Sequence, residues 1–262
     1  PSDSIVKRLY RAKEKIRLEK LSLEVPSGND LLPRLDAVLH AVYLLFNEGY
    51  KSASSDEVIR RDLCVEAIRL GTLLARHSLS NQPKTHALLA LMCFHAARLD
   101  TRLNPEGGII LLERQDRSAW NQQLIGLAYS HFKQSSQGED LSAYHLEAAI
   151  ASYHAVAPSF EQTNWQAIFY CYNLLYTLNP SPIIALNRAI ARGYAEGPVA
   201  GIEALLNITD LQQHYLYHTA LGDFYTKKGD AKTAHTAYER GLDLVSLTAE
   251  RKVIEQKMGK ID

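Results

Sequence analysis

The amino-acid sequence predicts an all-α fold in which antiparallel helical pairs stack side by side. Three observations carry that prediction. Apolar residues recur at three- and four-residue spacing through nearly the whole chain. Short runs of turn residues interrupt this pattern, so consecutive helices are antiparallel neighbours. And the stretch His214 to Leu247 can be read position by position. Leu221, Gly222 and Tyr225 are the packing positions of a first helix, Gly229 and Asp230 make the turn, and Ala234 and Tyr238 are the matching positions of a second. Small residues let the two helices approach, and the tyrosines fill the groove between them.

That length and spacing are those of a tetratricopeptide repeat, so the predicted array is tetratricopeptide-like. One such pair cannot bury its apolar face alone and requires stacked neighbours upstream. The segments 141–178 and 182–208 are read as degenerate pairs of the same kind, punctuated by Asn179-Pro180-Ser181-Pro182 and Glu196-Gly197-Pro198. A last helix, about 247–258, presents Glu250, Arg251, Glu255 and Lys257 outward and caps the stack.

The elements before the repeats follow in order. Residues 4–20 form a helix with Ile5, Leu9, Ala12 and Ile16 as its apolar stripe. Val25 to Asp30 breaks it, and Asn29 or Asp30 is expected to cap the next helix, which runs through Leu35, Val38, Leu39, Val42, Leu45 and Phe46 to Gly49. Helices are then expected at about 56–77 and 84–99. Residues 100–116 lose the helical period: Pro105 and Gly107-Gly108 make a turn, and Ile109 to Leu112 form a buried extended segment. Helix resumes near Asp116 or Ser118 and runs through Trp120 to Phe132. The expected domains are 1–25, a linker helix; 26–135, an irregular helical domain; and 136–262, the repeats.

Composition narrows the function classes. The formal net charge is zero, and no apolar stretch approaches the 18 residues a membrane span needs. Cys64, Cys93 and Cys171 are widely separated within apolar helical patterns, so they read as reduced core residues of a cytoplasmic protein. The chain opens on Pro1 and its methionines are Met92 and Met258, so it is expected to be a piece of a longer product.

Catalytic and metal motifs are not recognisable. His214 and His218 have the spacing of two ligands on one helix, but no glutamate follows His214 and no third ligand is evident. His145 and His154 read as interior histidines. No metal, cofactor or enzymatic activity is expected.

Two groups of polar residues stand out. Residues 1–25 hold seven Lys or Arg against four acids. Lys7, Arg8, Arg11 and Lys13 on that helix suit a phosphate backbone, the alternative being a solvated face paired to Glu14 and Glu19. Asn47 and Glu48 end a buried helix, and Arg114, Gln115, Asp116 and Arg117 lie between an apolar run and Trp120. An ion pair of Glu48 with Arg114 or Arg117 is the expected arrangement, since charges are seldom buried alone. The alternative is a ligand or catalytic pocket of Asn47, Glu48, Arg114, Asp116, Arg117 and Trp120, with Glu48 or Asp116 as general base.

The blocks RLYRAKEKIR, RLDAVLHAVYLLFNEGY, QDRSAW, AAIASYHA and SPIIALNRAIA, followed by the repeat end, resemble in that order RNA polymerase sigma factors of the extracytoplasmic-function group that bear a long C-terminal helical extension. The resemblance covers essentially the whole chain and is most specific at FNEGY and QDRSAW. It implies a parent protein active in transcription initiation, with residues 1 to about 20 as the tail of its promoter-reading region. The sigma regions that bind polymerase and promoter DNA precede the segment in hand, so DNA contact by Lys7, Arg8, Arg11 and Lys13 belongs to the intact parent. It further implies that residues 30–262 regulate in cis, through contacts with the parent's sigma regions, core RNA polymerase or a small partner.

Overall fold

The computed structural model of the chain describes residues 2–20, 28–52 and 59–261, and the side chains among them from Val6 onward except that of Asn29. It is all-α. Twelve α-helices are found among the described residues: α1 Ser2–Leu18, α2 Leu35–Tyr50, α3 Arg61–Arg76, α4 Pro83–Ala96, α5 Gln122–Ser135, α6 Ala143–Val156, α7 Trp165–Leu178, α8 Pro182–Glu196, α9 Pro198–Leu206, α10 Tyr215–Lys228, α11 Ala231–Leu244 and α12 Thr248–Met258. From α2 onward the helices pack mostly on their sequence neighbours, as short loops dictate, with α6 reaching past α5 to α4.

Three expected boundaries move. Gly28–Arg34 is a 3-10 turn containing Pro33, and α2 begins only at Leu35. Proline has no N–H for the α-helical ladder, so the ladder starts beyond it. The third helix begins at Arg61, and the part of its expected start at 56–58 lies outside the described residues. After the irregular segment, helix resumes not at Asp116 or Ser118 but at Gln122, where the Asn121 side chain accepts from Leu124 N at 3.0 Å. Asp116 instead caps a 3-10 turn, Arg117–Ala119. Ile109 pairs with Leu103 in an isolated antiparallel bridge, and Ile109 to Leu112 are only half-buried.

The first core gathers around α4. Ten consecutive residues, Thr85 to Phe94, are buried there, because α2, α3, α5 and α6 surround the helix on all sides. This core reaches Ala148 and Ala151 on α6, so the expected boundary at 135 does not divide it. A second core joins α8, α9 and α10, a third α6, α7 and α8, and a fourth holds α11 to α12.

Within 214–247 the expected unit is present in detail. The ring of Tyr238, buried to 2%, lies against Gly222, where an added Cβ would come within 2.6 Å of it. Its hydroxyl donates to Asp223 Oδ1 at 2.7 Å. Gly229 takes the left-handed φ of 84° that ends α10, and Asp230 accepts from Thr233 N to start α11.

The chain closes back on itself at Lys51. Lys51 Nζ lies 2.7 Å from Glu250 Oε1 of α12 and donates to the hydroxyl of Tyr215 of α10, which in turn donates to Glu250. The end of α2 is thereby fastened to the last repeat, and Arg102, Ile109 and Leu111 of the irregular segment line a cavity with α8, α10 and α12.

Candidate functional site

The FNEGY block lies at the end of α2, where each residue has a structural task. Phe46 is buried to 1% in the first core. Asn47 bonds through its side chain to Tyr43, whose hydroxyl donates to Glu147 of α6 at 2.7 Å. Glu48 accepts from Ser52 Oγ at 3.0 Å. Gly49 abuts the start of α3: a Cβ there would stand 2.7 Å from the carbonyl oxygen of Arg60 and 2.8 Å from Cys64 N. The Tyr50 ring lies under the Arg102 guanidinium at 3.7 Å, and Arg102 also donates to the Tyr50 carbonyl.

The QDRSAW block does the corresponding work at α6. Arg117 extends its guanidinium to the C-terminus of that helix, donating to the carbonyls of His154 and Ala157, the latter at 2.9 Å, and to Thr163 Oγ1 at 3.3 Å. Helix ends leave carbonyls without partners, and a forked cation satisfies two at once. Arg117 also lies 5.2 Å from the ring centre of Trp120, which is buried. Gln115 donates to Ile110 O at 2.9 Å. Asp116 is exposed, and its bonds from Ser118 Oγ and N hold its carboxyl below the usual range.

The expected ion pair is therefore replaced. Among the described residues no ion pair joins Glu48 to Arg114 or Arg117. Arg117 turns to α6 and Arg114 is exposed. The six residues Asn47, Glu48, Arg114, Asp116, Arg117 and Trp120 divide between the two blocks and do not converge. None lines the cavities of about 460, 730 and 940 Å³ found elsewhere in the molecule.

The histidines are likewise engaged locally. His214 Nδ1 accepts from Leu216 N, and His218 Nε2 contacts Gln212 O at 2.9 Å. His145 forms a capping box with Ser142 and reaches Ser135 O. Among the described residues, no group of three or more His, Cys, Asp or Glu is placed to hold a metal ion. The three cysteines are free and buried, with thiols pushed up by burial, Cys64 to about 11 and Cys93 to about 12.

Sequence reasoning missed a half-buried cationic junction behind the two blocks. Burial pushes both the His95 and His154 imidazoles down to about 3, reinforced by the charges of Arg98 and Arg102 at His95 and of Arg98 and Arg117 at His154. Both are thus neutral at ordinary pH. Arg98 Nε, Gln115 Oε1, Trp120 Nε1 and His154 Nδ1 are buried here without a protein hydrogen-bond partner. The spacing of these residues, from 95 to 154, held no signal that they meet.

The basic helix α1 differs from both blocks. Glu14 pairs with Arg17 at 2.9 Å and Glu19 with Lys15 at 3.7 Å. Lys7, Arg8, Arg11 and Lys13 are exposed and outside those pairs. Of the apolar residues on this helix, Val6, Leu9, Tyr10 and Leu18 are each more than half exposed. Among the described residues, no helix is long and apolar enough to cross a membrane.

Against known proteins, a family of unknown function, DUF6596, matches residues 34–136. That range contains both the FNEGY and QDRSAW blocks. The chain is also similar to an uncharacterized protein, R00370, of Rhizobium meliloti (strain 1021), with 34% identity over 252 residues. The alignment takes in 96% of this chain and spans 59% of the relative's length.

Proposed function

We propose that the chain is the regulatory, protein-binding extension of an extracytoplasmic-function sigma factor and acts in transcription initiation. The observation that carries this reading is a pair of uncovered apolar surfaces on either side of residues 19–27. One is the stripe on α1. The other is a trough of about 940 Å³ between the 28–34 turn, α2 and α3, lined by Leu31, Leu32, Val38, Leu70, Leu73 and Leu74. Leu32, Val38 and Leu73 are 42%, 41% and 51% exposed there. Contiguous exposed apolar surface of this kind marks an interaction site. On this reading α1 completes the promoter-reading region of the parent, with Lys7, Arg8, Arg11 and Lys13 toward promoter DNA. The trough then receives the parent's own sigma regions or core RNA polymerase and shifts the sigma factor between inactive and competent states. The order of sequence blocks supports the same assignment.

The test is transcription in vitro from a cognate promoter. Three samples are compared: the intact parent, the parent truncated after Pro26, and the truncated parent with residues 27–262 added in trans. Truncation is expected to change transcript yield and the added fragment to restore it, while the L73E fragment fails to restore. Equal yields in all samples would remove the regulatory assignment.

A further inference from the structure

The Lys51 clasp and the irregular segment enclose a half-open cavity of about 460 Å³ that involves none of the six candidate residues and reaches the junction described above only at Arg102. Its walls come from α8, α10, α12 and the irregular segment, and they are mostly apolar: Ile109, Leu111, Leu186, Ile190, Val253 and Ile254. This size and character are those of a pocket for a small molecule, in which a few polar groups set orientation.

The charges around it decide which molecule. Asp223 and Glu250 are already matched, Asp223 by Lys257 at 2.6 Å and by the Tyr238 hydroxyl, Glu250 by Lys51 and the Tyr215 hydroxyl. Arg102 is not. Its contacts are the Tyr50 ring and carbonyl, and among the described residues no carboxylate pairs with it. The lining charges thus leave one positive charge, held on a partly buried guanidinium. Such a group recognises a carboxylate by two parallel N–H···O bonds, strengthened where water is scarce. We infer that this cavity binds a small amphiphilic carboxylate, its apolar tail between α8, α10 and α12 and its carboxylate on Arg102. Because the cavity walls join the first domain to the last helix, such a ligand would tighten the closure made by Lys51 and Glu250. The inference stands independently of the transcriptional reading.

Decanoate and decanol, titrated calorimetrically into the 262-residue chain, test it. Decanoate is expected to bind saturably at one site, at least tenfold tighter than decanol. R102Q should lose that tenfold preference while still taking up decanol. V253W, which fills the cavity from α12 without removing a hydrogen bond, should abolish binding of both. If R102Q does not fold, V253W and the decanoate-to-decanol ratio on the unaltered chain decide. Absence of saturable decanoate binding, equal affinity for decanol, or undiminished binding by V253W would each overturn the inference. So would saturable binding of an extended acidic peptide in its place, which would give the cavity to a protein partner.

Discussion

The tetratricopeptide-like unit at 214–247 and the first core, built from α2 to α6, are both helical, yet the first core adds contacts of much longer range. In the repeat, the decisive contacts join residues no more than about one helical pair apart: Gly222 to Tyr238, Tyr238 to Asp223, Asp230 to Thr233. In the first core, besides the local approach of Gly49 to Arg60 and Cys64, they join Tyr50 to Arg102, Arg117 to Ala157, which are 40 residues apart, and Tyr43 to Glu147, which are 104 apart. The lesson is that conspicuous polar blocks need not be active sites. FNEGY and QDRSAW are places where helices are locked: Gln115 and Arg117 satisfy backbone carbonyls, while Glu48 is engaged by the Ser52 hydroxyl.

This contrast can be broken or sharpened by substitution. The largest effect is expected at Gly49. G49A drives a Cβ into the backbone of Arg60 and Cys64, which cannot rotate away, and should cost about 3 kcal/mol in urea unfolding. G222A meets only the Tyr238 ring and should cost about half of that. Equal losses would show that the two junctions are equally rigid. Next, R117M removes the donors to His154 O and Ala157 O and is expected to cost about 2 kcal/mol, with R117K recovering only part.

Acid should act on the first domain before the repeat. His95 and His154 have folded pKa values of about 3, below the ordinary imidazole value. The unfolded chain therefore binds protons that the folded chain excludes. Their contribution is fully present above about pH 6.5 and falls by up to about 1.4 kcal/mol per pH unit for each histidine as pH drops toward 3. Thermal melts from pH 7.5 to 5 should show this slope, and the H95N and H154N pair should flatten it. An unchanged slope would mean that neither histidine is buried neutral. The smallest effects belong to the helix caps, where the two regions should behave alike. N121A and D230A each delete a side-chain cap, at 3.0 and 3.1 Å, and should each cost about 1 kcal/mol.

Element by element, what could be read in advance followed the range of the interaction responsible. Helices α6 to α12 begin and end within three residues of expectation because Ser142, Asn164, Ser181, Asp230 and the Pro and Gly punctuation act on their own turns. The start of α5 was misplaced because Asp116, Asn121 and Ser118 all suit a cap, and the choice among them depends on Arg117 reaching α6. The candidate site fared worst. Glu48 and Arg117 offered opposite charges, and nothing in their spacing revealed that helix α6 would present open carbonyls to the arginine.

The sequence by itself determined the helical class, the order of the pairs and the packing of 214–247, since helical period, caps and turns are local properties of a chain. Only the tertiary structure decided that Arg117 caps α6, that Arg98, Arg102, His95 and His154 meet in one half-buried junction, and that Lys51 reaches Glu250 beside a cavity. Arg117 and His154 are 37 residues apart and Lys51 and Glu250 far more, and a charge finds its partner across such distances only when the packing of every intervening helix has placed the two side by side.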